Sequence, residues 1–204
     1  MTDRAVIHIV DDDRAAREGL VFLLSSLGLE ARAYAGAAAL LAAIEDQTEG
    51  CILADVRMPG MSGLELLDEL GRRGCPLPVI MITGHGDVPM AVRAMRAGAV
   101  DFFEKPVNGM ALVERIKEAL ELSRARAGSE REKAQLGRRI DSLTAREAEV
   151  ARAVLRGLLN KQIAHELGIS QKTVEIHRHN AMEKMGASSA ADLVRLLVAA
   201  GWEG

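Results

Sequence analysis

The sequence has very few aromatic residues, few cysteines and no long apolar run. Phe, Tyr and Trp make up 2% of its 204 residues, so Ala, Leu and Val must supply most of the core. Cys51 and Cys75 lack the spacing of a metal site, which favours free thiols in a reducing compartment. No apolar run reaches the roughly 18 residues that a membrane-spanning helix needs. No signal-peptide core follows Met1. We therefore expect a cytoplasmic protein without a membrane segment.

The formal net charge of −3 hides an asymmetry along the chain. Residues 1–123 carry 12 Lys and Arg against 19 Asp and Glu, and residues 124–138 carry 5 against 2. Residues 139–204 carry 9 against 8. The acidic first part suits a bound cation, and the neutral-to-basic remainder could approach a polyanion. The length allows one large domain or two small ones.

The N-terminal part alternates strands and helices five times. Strands are predicted at residues 5–10, 30–34, 51–54, 77–83 and 100–103, and helices at 14–26, 37–46, 63–73, 88–97 and 109 to about 126. This alternation predicts an α/β fold with a parallel sheet, right-handed crossovers and helices on both faces. The carboxyl ends of parallel strands meet at one edge, where open α/β sheets place their ligands.

Polar residues follow four of the predicted strands. They are Asp11 and Asp12 after the first strand, Asp55 after the third, Thr83 after the fourth and Lys105 after the fifth. The three carboxylates, with the backbone carbonyl of Arg57, are oxygen ligands of the kind that Mg²⁺ prefers. Asp55 could then act as a nucleophile on phosphorus. Thr83 and Lys105 would bind the phosphoryl oxygens.

Each of these residues also has a plainer interpretation. A carboxylate at a strand end can simply hydrogen-bond a nearby turn, which could be the role of Asp55. Asp13 directly precedes the predicted helix 14–26 and suits an N-cap. Lys105 could be a structural ion-pair partner of Asp55. The agreement of four independent strand ends favours a shared site.

Together these motifs resemble the receiver domain of two-component response regulators. The similar stretches are Val10-Asp-Asp-Asp13, Ala54-Asp-Val-Arg-Met-Pro-Gly60, Thr83-Gly-His-Gly-Asp-Val-Pro-Met90 and Glu104-Lys-Pro106, and the third resembles the FixJ branch in particular. The resemblance covers residues 4 to about 123. It implies the flavodoxin-like strand order 2-1-3-4-5, Mg²⁺ dependence, phosphorylation of Asp55 by a sensor histidine kinase and a cis peptide before Pro106. It also implies that Phe102 is the switch aromatic, and that Arg57 and His85 modulate the lifetime of the phosphoryl group.

The C-terminal part is predicted to be helical. After a charged, partly helical linker at residues 124–142, helices are predicted at 145–156, 161–167, 171–185 and 189–200. Thr144 and Glu147 match a capping box, and Asn160 is the predicted cap of the second helix. A Gly-containing turn between the second and third helices suits a helix-turn-helix, although a plain four-helix bundle has the same pattern.

This segment resembles the LuxR/FixJ-type DNA-binding domain from residue 143 to about 199. The similarity rests on Leu143-Thr-Ala-Arg-Glu147, Asn160-Lys-Gln-Ile-Ala164, Leu167-Gly-Ile-Ser170 and Lys184-Met-Gly-Ala-Ser188. The residues predicted to contact promoter DNA are Lys161, Gln171, Lys172, Thr173, Glu175, Ile176, Arg178 and His179. The resemblance places Glu175, Ile176 and His179 against the bases, whereas lysines suit phosphates.

The sequence therefore predicts a flavodoxin-like (βα)5 receiver at residues 1–123, a linker at 124–142 and an all-α helix-turn-helix domain at 143–204. We expect a transcription regulator that works with RNA polymerase and is not an enzyme. We expect phosphorylation to promote a homodimer through Val92, Arg96 and Asp101. Two rivals stay open. One is a Mg²⁺-dependent aspartyl phosphohydrolase, for which the chain offers no substrate domain. The other is a constitutive DNA-binding protein with a silent receiver.

Overall fold

The computed structural model of the protein describes residues 5–44, 49–84 and 86–202. The chain divides into two compact units, Met1–Gly128 and Ser129–Gly204. In the described part of the chain, no helix is long and apolar enough to cross a bilayer. Both cysteines are free thiols, as expected.

The described part of the first unit is a parallel sheet flanked by helices. The strands are β1 (Val6–Val10), β2 (Ala31–Tyr34), β3 (Gly50–Asp55), β4 (Val79–Thr83) and β5 (Asp101–Glu104). The helices are α1 (Arg14–Ser26), α2 (Ala37–Ala43), α3 (Gly63–Arg72), α4 (Val88–Arg96) and α5 (Gly109–Asp141). Hydrogen bonds join the strands in the order β2-β1-β3-β4-β5, which confirms the flavodoxin-like order. The Lys105-Pro106 peptide bond is cis, as the resemblance implied.

The central strands are apolar on both faces because helices cover both sides of the sheet. Successive side chains of a strand point to opposite faces, so β1 contributes to two cores. On one face Ile9 belongs to a buried cluster with Leu24 of α1 and Ile116 of α5. On the other face Val10 belongs to a second cluster with Leu66 of α3. The sheet is therefore held from both sides, and its polar strand ends are left at one edge.

Polar caps fix where the helices next to that edge begin. Asp13 is the N-cap of α1 and accepts a hydrogen bond from the backbone N–H of Ala15 at 2.8 Å. Ser62 and Glu65 form a capping box at the start of α3. Side-chain caps satisfy backbone N–H groups that have no partner inside the helix. Each of these helices can therefore begin a few residues after a strand-ending carboxylate.

Helix α5 is longer than the sequence predicted. The expected end near Arg126 moves to Asp141, so almost all of the predicted linker is helical. Gly128 and Gly137 each cost only about 1 kcal/mol in a helix, which weakens it without breaking it. Apolar burial stabilises the extended part of the helix, since Leu136 lies in the core of the second unit. The predicted domain limits at residues 123 and 142 stay a prediction.

Several other predicted helix boundaries also differ, most of them by one residue. The helix predicted at 37–46 ends at Ala43 in the structure. Its last two residues lie outside the described residues. Asn160 is not a cap: Leu159 holds the N-cap position, and Gln162 Oε1 accepts from the N–H of Leu159 at 2.8 Å. The side chain of Gln162 thus satisfies the backbone N–H of the N-cap residue, while the Asn160 side chain accepts a hydrogen bond from Arg178 instead.

The second unit contains α6 (Ala145–Leu155), α7 (Asn160–Leu167), α8 (Gln171–Met185) and α9 (Ala190–Ala199), together with the end of α5. Its core includes Val150, Ile163, Val174 and Leu193, one from each of these four helices. Gly168 ends α7 in the left-handed conformation, with φ of 65°. Ser170 then caps α8. The short turn between α7 and α8 is the geometry of a helix-turn-helix.

Candidate functional site

The carboxyl edge of the sheet brings Asp11, Asp55 and Lys105 into direct contact. Lys105 Nζ donates to Asp11 Oδ2 at 2.6 Å and to Asp55 Oδ1 at 2.8 Å. Asp11 and Asp55 are only 2% and 6% exposed, whereas Lys105 is partly exposed. The structure thus joins three of the predicted site residues around one ammonium group.

Backbone N–H groups hold the other oxygen of each carboxylate. Asp55 Oδ2 accepts from the N–H of Arg57 at 2.6 Å, and Asp11 Oδ1 accepts from the N–H of Asp13 at 2.9 Å. Gly63 allows the chain to turn back this tightly, because a Cβ at its position would lie 2.2 Å from the carbonyl oxygen of Asp55. Each carboxylate is therefore fixed in one orientation by the loop that follows it.

The two carboxylates also set the electrostatics of Lys105. Partial burial alone would lower the pKa of Lys105, because it penalises the charged ammonium. The hydrogen bonds and the negative charges of Asp11 and Asp55 outweigh that effect and raise the pKa above its ordinary value. Lys105 is therefore a permanent cation at neutral pH.

Two of the three predicted carboxylate ligands of Mg²⁺, Asp11 and Asp55, already lie together around Lys105. Mg²⁺ in proteins is usually bound by one or two carboxylates and keeps several waters. Asp11 and Asp55 provide such a pair, with the carbonyl of Arg57 close in sequence to Asp55. Asp12 is exposed and lies outside the cluster. Across residues 5–44, 49–84 and 86–202, no three acidic, His or Cys side chains gather in a ready-made metal site.

The predicted switch residues lie beside this cluster. Thr83 is fully buried, and its backbone carbonyl accepts from the N–H of Lys105 at 2.7 Å. Phe102 is half-buried and packs against the core cluster that contains Leu66. Its ring lies against Gly86, where an added Cβ would be 3.0 Å from Phe102 Cε1. His85 lies outside the described residues.

In the second unit, four of the eight predicted DNA-contacting residues share one exposed face of α8. Lys172, Glu175, Ile176 and His179 are exposed and recur at helical spacing. Gln171, at the start of the helix, and Lys161, near the start of α7, are exposed as well. Lys172 Nζ lies 3.4 Å from Glu175 Oε2, and Thr173 Oγ1 lies 2.8 Å from Ser170 Oγ.

Arg178 departs from this exposed face. It is half-buried, and its guanidinium donates to Asn160 Oδ1 at 2.8 Å. The pair connects α8 with the start of α7. Arg178 thus has a partner inside the second unit, which its position on a polar helix did not indicate.

Sequence reasoning also missed the second role of Glu147. Lys184 Nζ donates to Glu147 Oε2 at 2.6 Å and to the carbonyl of Ser142 at 3.1 Å. The hydrogen bond from Lys184, followed by that from the Thr144 backbone, lowers the pKa of Glu147 below its ordinary value. The capping box identified Glu147 as part of a helix start. Its partner is far along the chain, so no local pattern could reveal that it ties α6 to α8.

The residues predicted at a dimer interface lie on α4 and β5. Val92 and Arg96 are exposed one turn apart on α4. Asp101, at the start of β5, already has a partner: its Oδ2 accepts from Arg115 Nε at 2.6 Å. Arg115 belongs to α5 and was not identified from the sequence.

The fold and the two sites define a receiver domain joined to a helix-turn-helix domain. The family model for the response regulator receiver domain matches residues 7–117, and that for bacterial regulatory proteins of the luxR family matches residues 141–197. The chain belongs to the two-component response regulators that combine these two domains to bind DNA and regulate transcription. Phosphorylation and dimerisation are typical of this family, and receiver domains generally bind Mg²⁺ at the acidic site.

Similarity to individual relatives extends over nearly the whole chain. It is 47% identical to the transcriptional regulatory protein FixJ of Azorhizobium caulinodans, covering 98% of this chain and 95% of that protein. It is 47% identical to the response regulator protein TodT of Pseudomonas putida, covering 96% and 87%. Among solved structures, the response regulator StyR matches with a TM-score of 0.87 at 44% identity, covering 96% of this chain and 98% of that one. Full-length FixJ from B. japonicum matches with a TM-score of 0.59 at 43% identity, covering 98% of both chains.

Proposed function

We propose that this response regulator accepts a phosphoryl group on Asp55 from a cognate sensor histidine kinase. The observation that carries the proposal is the contact of Lys105 Nζ with both Asp11 and Asp55. One Asp55 oxygen would form the new bond to phosphorus while the bond from phosphorus to the kinase histidine breaks. Asp55 is the last residue of β3 and residue 57 is an arginine, so the Asp-x-Asp pair typical of aspartyl phosphohydrolases is missing there.

The remaining residues of the cluster have distinct roles in this proposal. Asp11 and Asp55, with Asp12 turned inward and the carbonyl of Arg57, would hold Mg²⁺. The ion would neutralise carboxylate charge as the phosphoryl dianion approaches. Lys105 Nζ donates to carboxylate oxygens, and it would donate to a phosphoryl oxygen once the phosphoryl group is bound. Thr83 would donate its hydroxyl to a second phosphoryl oxygen.

Intact-mass spectrometry after incubation with acetyl phosphate and Mg²⁺ tests the assignment. The wild type should gain one phosphoryl group, and an Asp55→Asn protein should gain none. Asp13→Asn is a matched control, because it alters a neighbouring acid that caps α1 and should leave the reaction unchanged. EDTA should abolish the modification. A phosphoryl group on the Asp55→Asn protein would exclude Asp55 as the acceptor.

The dimer is proposed to form by two-fold pairing of α4 and β5. Val92 is 43% exposed, and Val88 and Met95 beside it are also exposed, so α4 carries an uncovered apolar strip. Arg96 of one chain would pair with Asp101 of the other. Phosphorylation would move Thr83 and reorient Phe102, which directly follows Asp101 in β5.

The helix-turn-helix unit is proposed to bind promoter DNA through the exposed face of α8. Glu175, Ile176 and His179 would contact bases, while Lys161 and Lys172 would contact phosphates. Gln171 and Thr173 would add polar contacts at the start of the helix. RNA polymerase is the further partner that promoter binding implies. The kinase histidine and promoter DNA are both cytoplasmic, and we expect the protein to act there.

A further inference from the structure

The receiver carries two oppositely charged surfaces near the proposed dimer contact. On α4, Arg93 and Arg96 are exposed, and in the described part of the chain neither makes an ion pair. Beside β5, the side chains of Asp101, Glu114 and Glu118 line a shallow cleft together with Arg115. We name these three acids and Arg115 the acidic cleft. Three carboxylates face a single guanidinium there, so the cleft keeps negative charge that a second cation could compensate.

Within the acidic cleft, Asp101 is held at both oxygens. Oδ2 accepts from Arg115 Nε at 2.6 Å, and Oδ1 accepts from the backbone N–H of Phe102 at 2.8 Å. The ion pair is partly exposed, since the side chains of Arg115 and Asp101 are 42% and 27% exposed. The carboxylate that the proposed dimer needs is therefore already neutralised inside its own chain.

Arg115 also has a second acceptor one turn further along α5. Its Nη1 donates to Glu118 Oε2 at 2.5 Å. The guanidinium therefore bridges two carboxylates and can release Asp101 without losing its last ion pair. A side chain with a second acceptor can give up one partner at a lower cost, so a neighbouring change can shift it away from Asp101.

We propose that Arg115 is an intramolecular competitor that sets how tightly the unphosphorylated protein dimerises. This rests on the proposed pairing of Arg96 with Asp101. In the monomer, the guanidinium of Arg115 is paired with the carboxylate of Asp101. In the dimer, Arg96 of the second copy takes Asp101 and Arg115 stays with Glu118. The bond from the Phe102 N–H to Asp101 connects this exchange to the residue whose ring reorients on phosphorylation.

Sedimentation of the full-length protein at several concentrations tests the proposal. Partly exposed ion pairs contribute modestly, so Arg115→Gln should lower the dimer Kd of the unphosphorylated protein about two- to fivefold. Glu118→Gln removes the alternative acceptor, which should keep Arg115 on Asp101 and raise the Kd by a similar factor. In the Arg115→Gln background, Glu118→Gln should lose most of that effect. Lys117→Gln is the matched control, because it removes one exposed positive charge of α5 outside the cleft and should leave the Kd unchanged.

The role of Arg115 and the dimer surface can fail separately. If Arg96→Asp abolishes the dimer but Arg115→Gln leaves the Kd unchanged or raises it, the competitor role is wrong and the surface stands. If Arg96→Asp dimerises like the wild type both with and without acetyl phosphate, the surface is wrong, and the role of Arg115 falls with it. Circular dichroism should show that each variant remains folded, as expected for partly exposed positions.

Discussion

The two functional regions of this protein are built in opposite ways. The proposed phosphoacceptor site is assembled from the ends of β1, β3 and β5, and its contacts join Lys105 to Asp11 and Asp55 across the sheet. The proposed DNA-binding face belongs to a single helix, with Glu175 and His179 one turn apart on α8. A site made of distant strand ends depends on the whole core. A site on one helix depends on the helix and on the contacts that orient it.

Removing the central cation should have the largest effect on the assembled site. Lys105→Met leaves two buried carboxylates without their partner, and breaking a buried ion pair costs about 3 kcal/mol or more of unfolding free energy. Mg²⁺ should restore part of this loss, since it would neutralise the same acids. Urea unfolding with Mg²⁺ or with EDTA measures both effects. Lys117→Met, at an exposed lysine, should change neither. If the Lys105→Met protein were as stable as the wild type, the contacts of Lys105 with Asp11 and Asp55 would not stabilise the fold.

Substitutions on α8 should instead distinguish residues that contact bases from residues that contact phosphates. Glu175→Ala should change the preferred DNA sequence, because a good base contact is worth about 1–3 kcal/mol. Lys172→Ala should weaken binding to all sequences and flatten its dependence on salt. Selection from random DNA with both variants provides the comparison, and Lys161→Ala should behave like Lys172→Ala. An unchanged motif for Glu175→Ala, with an altered one for Lys172→Ala, would reverse the two roles.

Acid should destabilise the receiver through His8. His8 is fully buried in β1, its Nδ1 contacts Tyr34 Oη at 3.1 Å, and Nε2 has no hydrogen-bond partner among the residues that the structure describes. Burial, aided by the charge of Arg32, lowers its pKa from 6.5 to about 4. Above pH 6.5 the His8 side chain is neutral in both the folded and the unfolded protein. As pH falls toward 4, only the unfolded chain takes up the proton, so stability drops by about 2 kcal/mol at pH 5.

Hydrogen exchange of β1 at pH 7.5 and pH 5 measures this loss in the receiver. The fluorescence of Trp202, the only tryptophan, follows the second unit separately. His8→Val should remove the part of the pH dependence of β1 stability, measured by hydrogen exchange, that comes from protonation of His8. Equal pH dependence in the wild type and His8→Val would contradict the assignment to His8.

The smallest effect should come from loss of the hydrogen bond between Arg178 of α8 and Asn160 of α7. Asn160→Ala removes the hydrogen bond from Arg178, which is worth about 1 kcal/mol. The thermal midpoint of the second unit should fall by a few degrees, and DNA affinity should fall without a change of preferred sequence. Lys161→Ala, at the next position, should leave the midpoint unchanged while it weakens DNA binding. A normal midpoint in Asn160→Ala would indicate that Arg178 is free to contact DNA, as its sequence position suggested.

Helix and strand positions were largely predictable because the information lies within a few residues. α1 and α8 have the predicted limits, since Asp13 and Ser170 cap them directly. The length of α5 was not predictable in the same way. Between Arg126 and Leu136 the sequence has no large apolar residue that would signal a helix, and the burial of Leu136 in the core of the second unit stabilises the helix there.

The sequence by itself determined the order of elements, the strand-end positions of Asp11, Asp55 and Lys105, and the composition of the exposed face of α8. Periodicity, caps and turn residues act over one or two turns of chain, so they can be recognised without the fold. Only the tertiary structure decided which polar groups meet. It placed Arg115 on Asp101 and Arg178 on Asn160, and it left Asp12 outside the cluster. Those contacts join residues that packing brings together, because their geometry depends on the relative positions of whole strands and helices.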